Sequence, residues 1–120
     1  MPCLKRLLLV DCPKLRALPQ DMYMIVNLKR IHIEGAHKLQ EVVNLPAVVW
    51  LKVKNNACLR RISNLCKLQD LFAQDCPMLD QAENLFLLKR MAIISSQMNL
   101  FIIRQAYDRR AGRIEDMMVR

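Results

Sequence analysis

The sequence predicts an α/β repeat solenoid in a horseshoe arc, with about five short parallel strands on a concave face. Loops, 3-10 turns or short helices are expected on the convex side. Three observations predict it: a leucine pattern that recurs in register, a period near 20 residues, and prolines placed against long helices. One copy cannot bury its own apolar face, so copies must stack, and stability becomes a sum of neighbour interfaces.

The first copy reads Leu4, Leu7, Leu9, Cys12, Leu15, Leu18 and Pro19. Further copies begin near Leu28, Val48, Leu68 and Leu88, at offsets of 24, 20, 20 and 20 residues. Within each copy a short strand is expected first. Leu7 and Leu9, Ile31 and Ile33, Leu51 and Val53, Leu71 and Ala73, and Met91 and Ile93 alternate with period two and share one face. Next comes a small residue, at Cys12, Ala36, Asn56, Cys76 and Ser96, where the chain leaves the strand and bends inward. A small polar or thiol side chain there is buried while satisfying backbone groups of the turn. The returning leucines, such as Leu39, Leu59 and Leu79, close the core from the other side. Asn44-Leu45, Asn64-Leu65 and Asn84-Leu85 form a further column just before the next copy. A helical domain with leucines at i, i+3 and i+4 is opposed by Pro13, Pro19, Pro46 and Pro77.

The repeats are assigned to residues 1–97, and residues 98–120 to a C-terminal helical cap or tail. Phe101, Ile102, Ile103, Ala106 and Tyr107 suggest a helix over the last repeat, with Gly112 as its break. Solenoids need polar caps, yet Leu4 already belongs to a repeat core, so the chain is expected to be part of a longer protein.

With 120 residues, of which 53% are hydrophobic and 5% aromatic, one domain with an aliphatic core is expected. No run approaches the roughly 18 uncharged apolar residues of a membrane span. The charged start, Lys5-Arg6, is unlike a signal peptide. The five cysteines form no Cys-x-x-Cys pair, and His32 and His37 have no cysteines alongside. No metal or cofactor is therefore expected, and reduced thiols point to the cytoplasm or the nucleus. The net charge of +8 invites a nucleic-acid or lipid partner. Against it, Asp11, Glu34, Asp70 and Asp75 fall on the same repeat face, and no stacking aromatics alternate with the basic residues. A solvated basic surface is the preferred reading.

Register names the outward strand residues. Arg6, Arg30, Trp50, Asp70 and Arg90 form one row; Leu8, His32, Lys52, Phe72 and Ala92 a second; Val10, Glu34, Lys54, Gln74 and Ile94 a third. With strands about 4.8 Å apart, the face spans roughly 20 Å, room for a peptide or one lobe of a protein. The protein-binding candidates are Arg6, Arg30, His32, Glu34, Trp50, Lys52, Lys54, Asp70, Phe72, Gln74 and Arg90, centred on Trp50. A one-residue slip in the all-apolar run 48–51 would put Trp50 in the core instead. His32 reads as a solvated strand residue, and register brings together no catalytic constellation, so no enzyme is expected.

Cys12-Pro13-Lys14-Leu15 and Cys76-Pro77-Met78-Leu79, each within the leucine pattern, resemble the leucine-rich repeats of plant intracellular nucleotide-binding disease-resistance receptors. The likeness spans about residues 4–96. It departs from the whole receptor in having no phosphate-binding loop, so nucleotide switching is not carried over. The resemblance implies a recognition or autoinhibitory module of innate immunity. Its partner would be a pathogen effector protein, a guarded host protein or the receptor's own nucleotide-binding domain. A substrate-recruiting subunit of a ubiquitin ligase, built on the same repeat, is the alternative; an anion-binding surface ranks third.

Overall fold

A computed structural model describes residues 4–25, 27–94 and, as backbone, 116–119. Parallel strands stack into a β-solenoid of about 4 turns. The long strands are β1 (Arg6–Val10), β2 (Arg30–Glu34), β4 (Trp50–Lys54), β6 (Asp70–Gln74), β8 (Arg90–Ile94) and β9 (Asp116–Val119). They form one parallel six-stranded sheet in the order β1-β2-β4-β6-β8-β9. Between them lie three short strands, β3 (Glu41–Val43), β5 (Arg61–Ser63) and β7 (Gln81–Glu83), which form a second parallel sheet.

The register is the one the leucine columns dictate. Leu7, Ile31, Leu51, Leu71 and Met91 align across the main sheet, as do Leu9, Ile33, Val53, Ala73 and Ile93. From β2 to β8 these inward side chains are buried. Val42, Ile62 and Ala82 of the second sheet, Leu39, Leu59 and Leu79, and Leu45, Leu65 and Leu85 complete the core. Burying a Leu, Ile or Val side chain is worth about 1.5–3 kcal/mol each before the cost of ordering the chain. The first coil is the exception: Leu4, Leu7, Leu9, Leu15 and Leu18 are only half-buried. Among the described residues they have a neighbouring coil on one side alone.

Two corners turn each coil. At the end of the long strands Asp11, Asn55 and Asp75 have φ of 53–54°, and Gly35 has 74°. After the short strands Asn44, Asn64 and Asn84 have φ of 57–61°. Asx residues and glycine are those that tolerate this left-handed region, which explains the polar columns there. A tight turn follows each corner. Leu15, Leu39, Leu59 and Leu79 donate their N–H to the carbonyl three residues back, as do Leu28, Val48, Leu68 and Leu88.

The structure departs from the expected convex side. In place of loops or short helices, the returning segments of three coils pair as the second sheet. Among the described residues the helical content is one 3-10 turn, Gln20–Met24, so the α component of the expected α/β class is not found there. That turn occupies the extra length of the 24-residue first copy. Pro19 stands where β3, β5 and β7 end and, lacking an N–H, cannot extend their ladder. In the stretch expected to be a helical cap or tail, Asp116–Val119 is a strand paired parallel to β8. The helix expected near 101–107 lies outside the described residues.

Candidate functional site on the main sheet

Strand pairing lays the outward residues out as three rows of five. Arg6, Arg30, Trp50, Asp70 and Arg90 are mutual neighbours in the first. Leu8, His32, Lys52, Phe72 and Ala92 follow, then Val10, Glu34, Lys54, Gln74 and Ile94. All eleven candidates therefore lie on one face. Arg6, Arg30 and Arg90 are exposed and the other eight half-buried.

Trp50 stands on the outward face. Leu51 and Val53, its neighbours in the alternation, are both fully buried, which fixes the direction of Trp50 through the pleat. Two rows meet around it. The Arg30 guanidinium carbon lies 5.2 Å from its ring centroid, within cation–π range. Phe72, one strand over, sits at a centroid distance of 5.7 Å with the rings tilted by 49°. Such aromatic and cation–π contacts are worth about 0.5–1.5 kcal/mol each. They hold the indole without removing it from solvent.

Beyond the aromatics the face dips. Phe72 is followed across the sheet by Ala92, a large-to-small step. The resulting depression, about 250 Å³, is lined by Trp50, Lys52, Phe72, Gln74, Ala92 and Ile94, with Ala73 at its floor. Gln74 and the apolar Ala92 and Ile94 thus share one feature with the aromatic pair.

The charges are unevenly placed. Arg90 Nε lies 3.6 Å from Asp70 Oδ1, and His32 Nε2 lies 3.6 Å from Glu34 Oε1. Among the described residues no carboxylate comes within 4.0 Å of the side-chain nitrogens of Arg6, Arg30, Lys52 or Lys54. Positive charge accordingly collects on β1, β2 and β4, and the apolar depression on β4, β6 and β8.

Beneath the face a polar brace keeps the strands in register. Asn56 is fully buried; its Oδ1 accepts the Ala36 N–H at 2.9 Å, and its Nδ2 donates to the Ile33 carbonyl at 3.1 Å. The Cys76 thiol donates to the Gln74 carbonyl at 3.5 Å, and Cys12 repeats the contact with Val10 at 3.7 Å. Asn56 and Cys76 thus take the buried, turn-satisfying roles expected of that column, whereas Cys12 makes its contact while only half-buried. Among the described residues no group of three or more His, Cys, Asp or Glu side chains is placed to hold a metal ion. No helix among them is long and apolar enough to cross a membrane. Comparison with family models, with curated proteins and with solved structures found no match to this chain.

Proposed function

We propose that this chain is a protein-recognition module of the leucine-rich repeat type, and that the outward face of its main sheet is the binding surface. The observation that supports the reading is the setting of Trp50. The chain's single tryptophan is directed outward at mid-face, between Arg30 and Phe72 and at the rim of an apolar depression. Tryptophan and arginine are the residues most enriched among binding hot spots, and central, partly desolvated positions are where such residues count most. A flat strand surface with adjustable side chains suits recognition of another protein without catalysis. The Cys-Pro-x-Leu turns and 20-residue coils favour the immune-receptor type of repeat, with a cytoplasmic pathogen effector, guarded host protein or the receptor's nucleotide-binding domain as partner.

Selection from a plant protein display library, followed by mapping of each ligand, tests this. Ligands are expected to lose at least about tenfold in affinity to Trp50→Ala or Phe72→Ala and to be indifferent to Glu41→Ala and Gln81→Ala on the second sheet. Ligands that respond only to the second-sheet substitutions would overturn the assignment.

A further inference from the structure

We infer that the partner presents to this face an acidic segment carrying one large apolar anchor side chain. The inference rests on the reading of the main-sheet face as a protein-binding surface and specifies what that surface accepts.

The two parts of the face call for two kinds of side chain. The depression between Trp50, Phe72, Ala92 and Ile94 has apolar walls, with Lys52 and Gln74 at its edge. A leucine-sized or aromatic group would remove that surface from water. On β4 beside it stand Lys52 and Lys54, and farther across the sheet Arg30 and Arg6, none with a carboxylate in ion-pair range among the described residues. Of the face's acids on β2 and β6, Asp70 is paired with Arg90 at 3.6 Å, and Glu34 lies 3.6 Å from His32 Nε2. Unmatched cations around an apolar hollow complement carboxylates around an apolar anchor.

Spacing adds a constraint. Arg30 on β2 lies two strands from β6, whose Phe72 walls the depression. Strands are about 4.8 Å apart and an extended chain advances about 3.3 Å per residue. A segment crossing the strands with its anchor in the depression therefore brings acidic residues onto the cations about three positions away. Nucleic acid fits less well. Glu34 and Asp70 share the rows with the cations, and Arg30 already covers a face of Trp50 that a base would need.

The emission of Trp50, the chain's only tryptophan, gives a direct readout. The probes are four: a short peptide with a central leucine flanked by glutamates about three positions away on both sides, the same peptide with glycine for leucine, the same with lysines for glutamates, and single-stranded oligothymidylate. The glutamate–leucine peptide is expected to shift the emission saturably. Its affinity should fall about tenfold or more with the glycine replacement and with Lys52→Glu/Lys54→Glu, and should weaken as salt is raised. Should the charge-reversed variant not fold, Lys52→Gln/Lys54→Gln is expected to show the same loss to a smaller extent. Equal or tighter binding of the lysine peptide or of oligothymidylate would overturn the inference, as would no saturable shift with any probe or an unchanged affinity in both double variants. In each of those cases, library ligands that still depend on Trp50 would leave the surface assignment standing, while ligands independent of Trp50 would remove both.

Discussion

Asn56 and Cys76 occupy the same column of successive coils, and one position shows how a buried polar side chain is tolerated. Asn56 satisfies two backbone groups of the coil before it, at about 1 kcal/mol net for each bond. Cys76 uses its thiol on Gln74 and lies 3.9 Å from Asn56 Nδ2. Burial pushes the Cys76 thiol above its ordinary value of 9.0; hydrogen bonds from Asn56 oppose the rise, and the charge of Asp75 adds to it. The unfolded chain therefore releases this proton first. Stability from the buried neutral thiol is complete below about pH 9 and is lost as pH climbs from there through the folded value. In denaturant titrations at rising pH, the stability advantage of the wild type over Cys76→Ala is expected to shrink above pH 9.0, the wild type losing more. Parallel curves would mean that the thiol is not held neutral by burial. The chemistry of this column was legible in the sequence, because Cys, Ala and Asn share the position and only a short side chain fits an inward bend.

The corner asparagines act at the scale of the elements. Asn64 Nδ2 donates to Asn44 Oδ1 at 2.9 Å, and Asn84 Nδ2 donates to Asn64 Oδ1 at 2.7 Å, so the three form a ladder along the edge of the second sheet. Each also takes the left-handed conformation that ends β3, β5 or β7. Asn64→Gly keeps the conformation and removes both ladder bonds. A loss of about 1–2 kcal/mol is expected in urea unfolding, and a larger one for Asn64→Ala, which adds backbone strain. An unchanged midpoint for Asn64→Gly would show the ladder to be incidental. In the sequence these asparagines marked the period but not their role. The second sheet escaped notice for a related reason: Val42 and Ile62 are good strand formers, but three-residue strands are too short to display alternation. β9 was hidden differently. Ile114, Met117 and Val119 repeat the Leu-x-x-Leu-x-Leu spacing with other residues, after a 26-residue interval that breaks the period.

Across the whole molecule, the leucine columns were enough to place the outward positions of β1, β2, β4, β6 and β8, because a strand in fixed register leaves no freedom in the pleat; of these, Ala92, expected to face solvent, is buried. The all-apolar run at 48–51 was the one ambiguous place, since alternation gives no signal there; full burial of Leu51 and Val53 resolves it. The depression and the separation of charge from apolar surface depend on contacts between coils, Phe72 beside Ala92 and Arg90 beside Asp70, which become visible only once strands are paired. On the proposed function, Trp50 serves binding and its neighbour Leu51 serves stability. Measuring unfolding and ligand affinity together for Trp50→Ala and Leu51→Ala tests it most directly. Leu51→Ala is expected to cost about 2–5 kcal/mol of stability as a core truncation. Trp50→Ala is expected to cost about 1–3 kcal/mol, less than Leu51→Ala, while weakening a selected ligand about tenfold or more. If Trp50→Ala proves the more destabilising of the two, or leaves affinity unchanged, Trp50 is a core residue or a bystander and not the binding centre.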